Sequence, residues 1–202
     1  MFFKNNYLLF LFLLLMIPYL LINANMTQTN KKELVGNICQ IRNEKYSNEY
    51  LYWSNELRVG RSPRNNIFTR PLANVNDSNK IRWLISETKN NTDSFYLKTT
   101  ASEYLCATAY FADMFLSRRF VQRIKLDKYG KLLDDCKWNI RKVNTKLSNS
   151  TYSIVNVFYD EPLYAASFVF KRGLYNRQAF LWHKKNFDSN EYKWNINCTN
   201  AN

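Results

Sequence analysis

Beyond residue 37 the apolar positions fall into short runs that alternate with polar ones or gather aromatics, each bounded by Asn, Ser, Asp or Gly. Such runs predict short β-strands, and no long stretch carries the period of a helix. Three tryptophans, Trp83, Trp138 and Trp194, recur at nearly equal intervals. A basic residue precedes each, and Ile85, Ile140 or Ile196 follows two positions later. Upstream, Leu51, Leu105 and Leu163 each stand at an almost constant distance before the next of these tryptophans, and each comes two positions after Glu49, Glu103 or Glu161. Ile41, Leu97 and Ile154 mark a third landmark with the same period, and Phe68, Phe120 and Phe180 mark a fourth.

Four landmarks repeated three times in one order predict about twelve strands in three groups of four. Propeller blades are shorter than these units, and a propeller needs about four or more of them. The expected fold is therefore all-β: a β-trefoil of three four-stranded repeats with pseudo-threefold symmetry. Six strands would close a barrel and three hairpins would cap one end, leaving no long bare edge. The domain is expected over 37–198, with repeats of about 37–90, 91–147 and 148–198, a tail at 25–36 and another at 199–202. Trp83 and Ile85 share one strand face, so the tryptophans read as core.

The segment 1–24 reads differently. Lys4 precedes an apolar stretch from Tyr7 to Leu21, and Ile22-Asn23-Ala24 offers a small residue for cleavage. This is the pattern of a signal peptide over 1–24, and the stretch is short for a spanning helix. Secretion to the extracellular space is expected, with no transmembrane segment after cleavage. Four cysteines, Cys39, Cys106, Cys136 and Cys198, fit an oxidising compartment and allow three pairings. In a closed barrel the first and last strands are neighbours, which predicts Cys39–Cys198, and the middle repeat then holds Cys106–Cys136. Sequons at Asn25, Asn76, Asn90, Asn149 and Asn197 mark expected surface glycosylation sites.

Charge adds a candidate partner. Loss of Lys4 with the leader takes the formal net charge from +13 to +12, which favours anionic partners. Cations cluster between the second and third predicted strands of each repeat: Arg58, Arg61, Arg64 and Arg70; Arg118, Arg119, Arg123 and Lys125; Lys171, Arg172, Arg177, Lys184 and Lys185. No Asp or Glu interrupts 58–70, 118–125 or 171–185. In a trefoil these hairpins converge, so they predict a cationic cap that binds sulfated or other anionic glycans, or an acidic extracellular protein, with arginine forks suited to sulfate, phosphate or carboxylate. A protease inhibitor acting through an exposed basic loop (Arg58 to Arg64 or Lys171 to Arg177) and a storage or structural secreted protein are the competing readings.

Chemistry of other kinds finds little support. His183 is the single histidine, so a zinc site or a paired-histidine centre is not expected, and it reads as a surface or half-buried strand residue. Asp134-Asp135 and Asp160-Glu161 fall at predicted turns, and Glu49, Glu103 and Glu161 read as turn residues bonding nearby backbone. Four glycines in the whole chain leave no phosphate-binding loop. A non-enzymatic monomer without cofactor or metal is expected, and no nucleic-acid motif is present.

The second-strand, Arg-x-x-Phe and Trp-x-Ile segments resemble those of secreted insect β-trefoils. They are similar in style to the C-terminal trefoil of the lepidopteran 30-kDa haemolymph lipoproteins, most clearly over Asn156 to Ala165 and Arg177 to Trp182. The resemblance covers about 37–198 and implies a trefoil secreted into saliva, venom or haemolymph. Ricin-type trefoil lectins carry Gln-x-Trp in each repeat; here Ile81, Cys136 and Tyr192 occupy the glutamine position, so the resemblance transfers no lectin residues.

Overall fold

Strand alternation decides which side chains are buried. In a computed structural model, residues 33–54, 67–88, 91–111, 118–126, 134–143, 151–169, 176–183 and 190–199 are described. The expected signal peptide lies outside them. The chain divides into Met1–Val35 and Gly36–Asn202, and the second unit carries the β-structure.

Twelve strands occur among the described residues: β1 (Ile38–Asn43), β2 (Glu49–Trp53), β3 (Ile67–Pro71), β4 (Arg82–Thr88), β5 (Asn91–Thr99), β6 (Tyr104–Phe111), β7 (Arg118–Ile124), β8 (Trp138–Val143), β9 (Thr151–Asn156), β10 (Glu161–Val169), β11 (Arg177–Trp182) and β12 (Lys193–Thr199). The pairs β1–β12, β12–β9, β9–β8, β8–β5, β5–β4 and β4–β1 return to their starting strand, so six strands form a closed ring. The other six form the hairpins β2–β3, β6–β7 and β10–β11, joined because β11 pairs with both β3 and β7. All pairing is antiparallel, and ring closure leaves the six ring strands without a free edge.

The apolar landmarks meet inside. Trp83, Trp138, Trp194, Leu51, Leu105, Leu163, Ile41, Leu97 and Ile154 are all fully buried. Each of the three indoles donates Nε1–H to a leucine carbonyl: Trp83 to Leu51 at 3.0 Å, Trp138 to Leu105 at 2.8 Å and Trp194 to Leu163 at 2.9 Å. A buried indole thus finds an acceptor within the core, and the bond ties a ring strand to a hairpin strand.

Two disulfides join Cys39 to Cys198 and Cys106 to Cys136. The first lies directly across the β1–β12 pair and spans 159 residues; the chain-entropy account puts such a closure at about 5 kcal/mol. Cys136 sits in a 3₁₀ turn, Asp134–Cys136, and not in the fourth strand of its group, because β8 begins only at Trp138. No helix among the described residues is long and apolar enough to cross a membrane.

Candidate functional site

The arginines expected to form a cationic cap are placed on strands, where the two-residue alternation turns several of them inward. In β7 the burial pattern makes Arg119, Val121 and Arg123 the inward set. Arg70, Arg119 and Arg123 are all buried. Burying a guanidinium requires a partner; for Arg119 and Arg123 it comes from Glu161, which opens β10, and Glu103, which precedes β6.

Arg119 grips Glu161 through Nε at 2.8 Å and Nη2 at 3.2 Å, and its Nη1 donates to the Thr108 carbonyl at 3.2 Å. Arg177 Nε donates to Glu49 Oε1 at 2.9 Å, while Thr69 Oγ1 donates to the other oxygen at 2.6 Å. Arg123 is paired with Glu103, and burial lowers its pKa from the ordinary value against the opposing pull of that carboxylate. Arg70 donates to the Tyr52 hydroxyl at 3.1 Å and lies over that ring.

The expectation of a ligand-ready cationic cap is therefore corrected for these four residues. Three are neutralised by Glu49, Glu103 and Glu161, and the fourth is held by a tyrosine. The local stretches lack acids, but the acids arrive from afar: Glu49 and Arg177 are 128 residues apart. The glutamates, read as turn residues bonding nearby backbone, are side-chain ion-pair partners. Arg118 is half-buried with its guanidinium over Phe180 at 5.8 Å, and Lys125 is exposed. Arg58, Arg61, Arg64, Lys171, Arg172, Lys184 and Lys185 lie outside the described residues. Of the sequons, Asn76 and Asn197 are exposed, and Asn25, Asn90 and Asn149 lie outside. The sulfurs of the Cys106, Asp135 and Cys136 cluster are committed to a disulfide, so it offers a metal no thiolate.

An open cleft of about 430 Å³ lies elsewhere, on the outer face of β8, β9 and β10. It is lined by Arg141, Lys142 and Val143 of β8, Ser153 and Val155 of β9, Asp160, Pro162, and Tyr192. The register places Arg141 beside Ser153 and Pro162 beside Val155, so a cation and a hydroxyl stand next to an apolar floor. Arg141 and Lys142 are exposed.

Two local devices shape the rim. Asp160 takes a left-handed φ of 50° at the end of the turn before β10. That turn hangs on the fully buried Asn156, whose Oδ1 accepts from Tyr159 N at 3.2 Å and whose Nδ2 donates to the Asp135 carbonyl at 2.7 Å. Tyr192 rides on the 3₁₀ turn Asn190–Tyr192, which Lys193 Nζ braces through Asn190 Oδ1 at 2.9 Å. The volume suits a small polar ligand. Two cations against one carboxylate favour an anionic group, and a tyrosine ring offers an apolar face with a polar tip.

Sequence reasoning passed over Arg141 and Lys142 and met Tyr192 only as the residue in the lectin glutamine position. The usable signal was strand alternation: Arg141, Ser153, Val155 and Pro162 are register-matched positions on one outer face.

No family model matches the sequence, and no curated protein does either. The fold has clear counterparts among solved structures. The SDF2-like protein from Arabidopsis thaliana is similar at 10% identity and a TM-score of 0.65, covering 81% of this chain and 93% of that one. A salivary protein from Culex of the Cysteine and Tryptophan-Rich family is similar at 15% identity and 0.54, covering 81% and 94%. The Macrolepiota procera ricin B-like lectin, solved with lactose, is similar at 16% identity and 0.55, covering 81% and 96%. With another neighbour described as a β-trefoil, these define the fold as β-trefoil-like.

Proposed function

We propose that the chain is a secreted, non-enzymatic β-trefoil module that binds anionic glycans or acidic extracellular partners, with the β8–β9–β10 cleft as its contact site. The observation that carries this reading is the pairing of exposed Arg141 and Lys142 with Tyr192 and Asp160 around one open cavity. Arginine and lysine would take the sulfate or carboxylate, the tyrosine ring would pack on a sugar face, and Asp160 would accept from hydroxyls. Lactose in the structurally similar Macrolepiota procera lectin supports a carbohydrate ligand in general. Two disulfides support an oxidising, extracellular setting. The reading takes the domain as three four-stranded units, supported by the three matching Trp-to-Leu bonds.

Heparin chromatography tests it. The wild-type protein should elute at higher salt than Arg141→Ser/Lys142→Ser, because charge-driven contacts are screened by ions. Arg58→Ser/Arg61→Ser/Arg64→Ser forms a second arm for the loop cations. Unchanged elution of the Arg141/Lys142 variant would remove the cleft from the proposal, and a loss in the second variant alone would move the site to residues 58–64.

A further inference from the structure

The hairpin arginines are held by acids, but those of the ring strands are not. Alternation turns Cys39 and Ile41 of β1 and Trp83 and Ile85 of β4 inward, which leaves Arg42 and Arg82 on the outer wall. Arg82 and Arg141 are exposed and Arg42 is half-buried. None of these three takes part in an ion pair among the described residues.

The strand register joins them into a path. Arg82 faces Gln40 across β4–β1, and Arg42, two residues on from Gln40, faces Asn195 across β1–β12. Lys193, two residues back from Asn195, faces Ser153 of β9, and Ser153 faces Arg141 of β8. Because β1 and β12 are antiparallel, the step forward along β1 and the step back along β12 point the same way. The four cations therefore climb one staircase over five of the six ring strands and enter the cleft at Arg141. Strand spacing and rise put successive Cα atoms about 8–10 Å apart. Lys193 Nζ is bonded to a neutral group, Asn190 Oδ1, so its charge stays uncompensated. One carboxylate, Glu44, reaches the path and accepts from Asn195 Nδ2.

We infer that Arg82, Arg42 and Lys193 form a docking track for a long, flexible sulfated polysaccharide, continuous with the β8–β9–β10 cleft. The inference rests on the anionic reading of that cleft and narrows its ligand to a polymer. The wall of a closed ring is convex, so a flat acidic protein face meets only part of the path, whereas a flexible chain follows it. Gln40, Asn195 and Ser153 stand between the cations and donate to sulfate and sugar oxygens. Single-stranded nucleic acid is held by stacking on aromatic side chains, and no aromatic residue stands among these steps of the staircase.

The salt dependence of heparin binding tests the track, since each cation engaged by a polyanion releases condensed counterions. Asn197→Gln is the common background, because Asn197 faces Gln40 on the path and carries a sequon. Arg42→Ser and Arg82→Ser should each lower the slope of log affinity against log salt by about one. Lys125→Ser removes the same charge from an exposed residue beyond hairpin strand β7 and should leave the slope unchanged. A slope indifferent to Arg42→Ser and Arg82→Ser, or lowered equally by Lys125→Ser, overturns the track. Arg141→Ser/Lys142→Ser separates the two readings. If it alone lowers the slope, the cleft stands and the track falls; if only the wall variants lower it, the track stands and the cleft falls. Single-stranded DNA of matched charge should bind more weakly than heparin, and equal or tighter binding overturns the polysaccharide assignment.

Discussion

The tryptophan positions and the glutamate positions occur three times each, yet they behave differently. Trp83, Trp138 and Trp194 are fully buried and solve one problem in one way, by donating to the carbonyl of Leu51, Leu105 or Leu163. Glu49, Glu103 and Glu161 are buried too, but each is satisfied differently: by Thr69 with Arg177, by Arg123, and by Arg119 with His183. A backbone carbonyl is present in every strand whatever the sequence, so an indole can be repeated without further change. A carboxylate needs a side-chain partner, and that partner can come from any neighbouring strand. The register shows this directly. Leu51, Leu105 and Leu163 face Thr69, Arg123 and Leu181, so one structural position holds a hydroxyl, a cation and an aliphatic chain. Where the partner varies, the surface above it is free to vary too, and His183 is one result.

The contrast can be broken by substitution, with urea unfolding midpoints as the readout. The largest effect is expected for Arg123→Leu. Among the described residues Glu103 has Arg123 alone as its side-chain partner, so the change strands a buried carboxylate and should cost about 3–5 kcal/mol. Arg177→Leu should cost less, because Thr69 remains on Glu49; equal losses would show that the hydroxyl contributes nothing. Next come Trp83→Phe, Trp138→Phe and Trp194→Phe, each expected to cost about 2–4 kcal/mol from a lost hydrogen bond and a partly filled cavity. Their three values should agree closely, and a wide spread would mean that the tryptophan environments are not equivalent.

Thr69→Val follows, at about 1–2 kcal/mol, since Glu49 keeps its arginine. The smallest effect is expected for His183→Ala, within about 0.5 kcal/mol, as befits an exposed partner. A large loss there would show that Glu161 relies on His183 as well as on Arg119.

Much of this was legible along the chain. The spacing of Trp83, Trp138 and Trp194 and the two-residue alternation around them pointed to twelve short strands, because burial on one strand face repeats with a fixed period. The cysteine pairs followed once the first and last strands were taken as neighbours. The arginines misled for the opposite reason. Charge counted along 118–125 contains no acid, but Glu161 lies 42 residues from Arg119 in sequence and in contact with it in the fold.

The linear chain therefore settled the strands and the apolar core, since these depend on periodicity and on the side chain's own preference for water or oil. Only the tertiary structure decided which cations are paired and which remain open to solvent. An ion pair is a relation between two residues, and the folded register, not their order along the chain, brings them together. The same register turned Arg141 and Tyr192, unremarked as neighbours in one dimension, into two walls of a cleft.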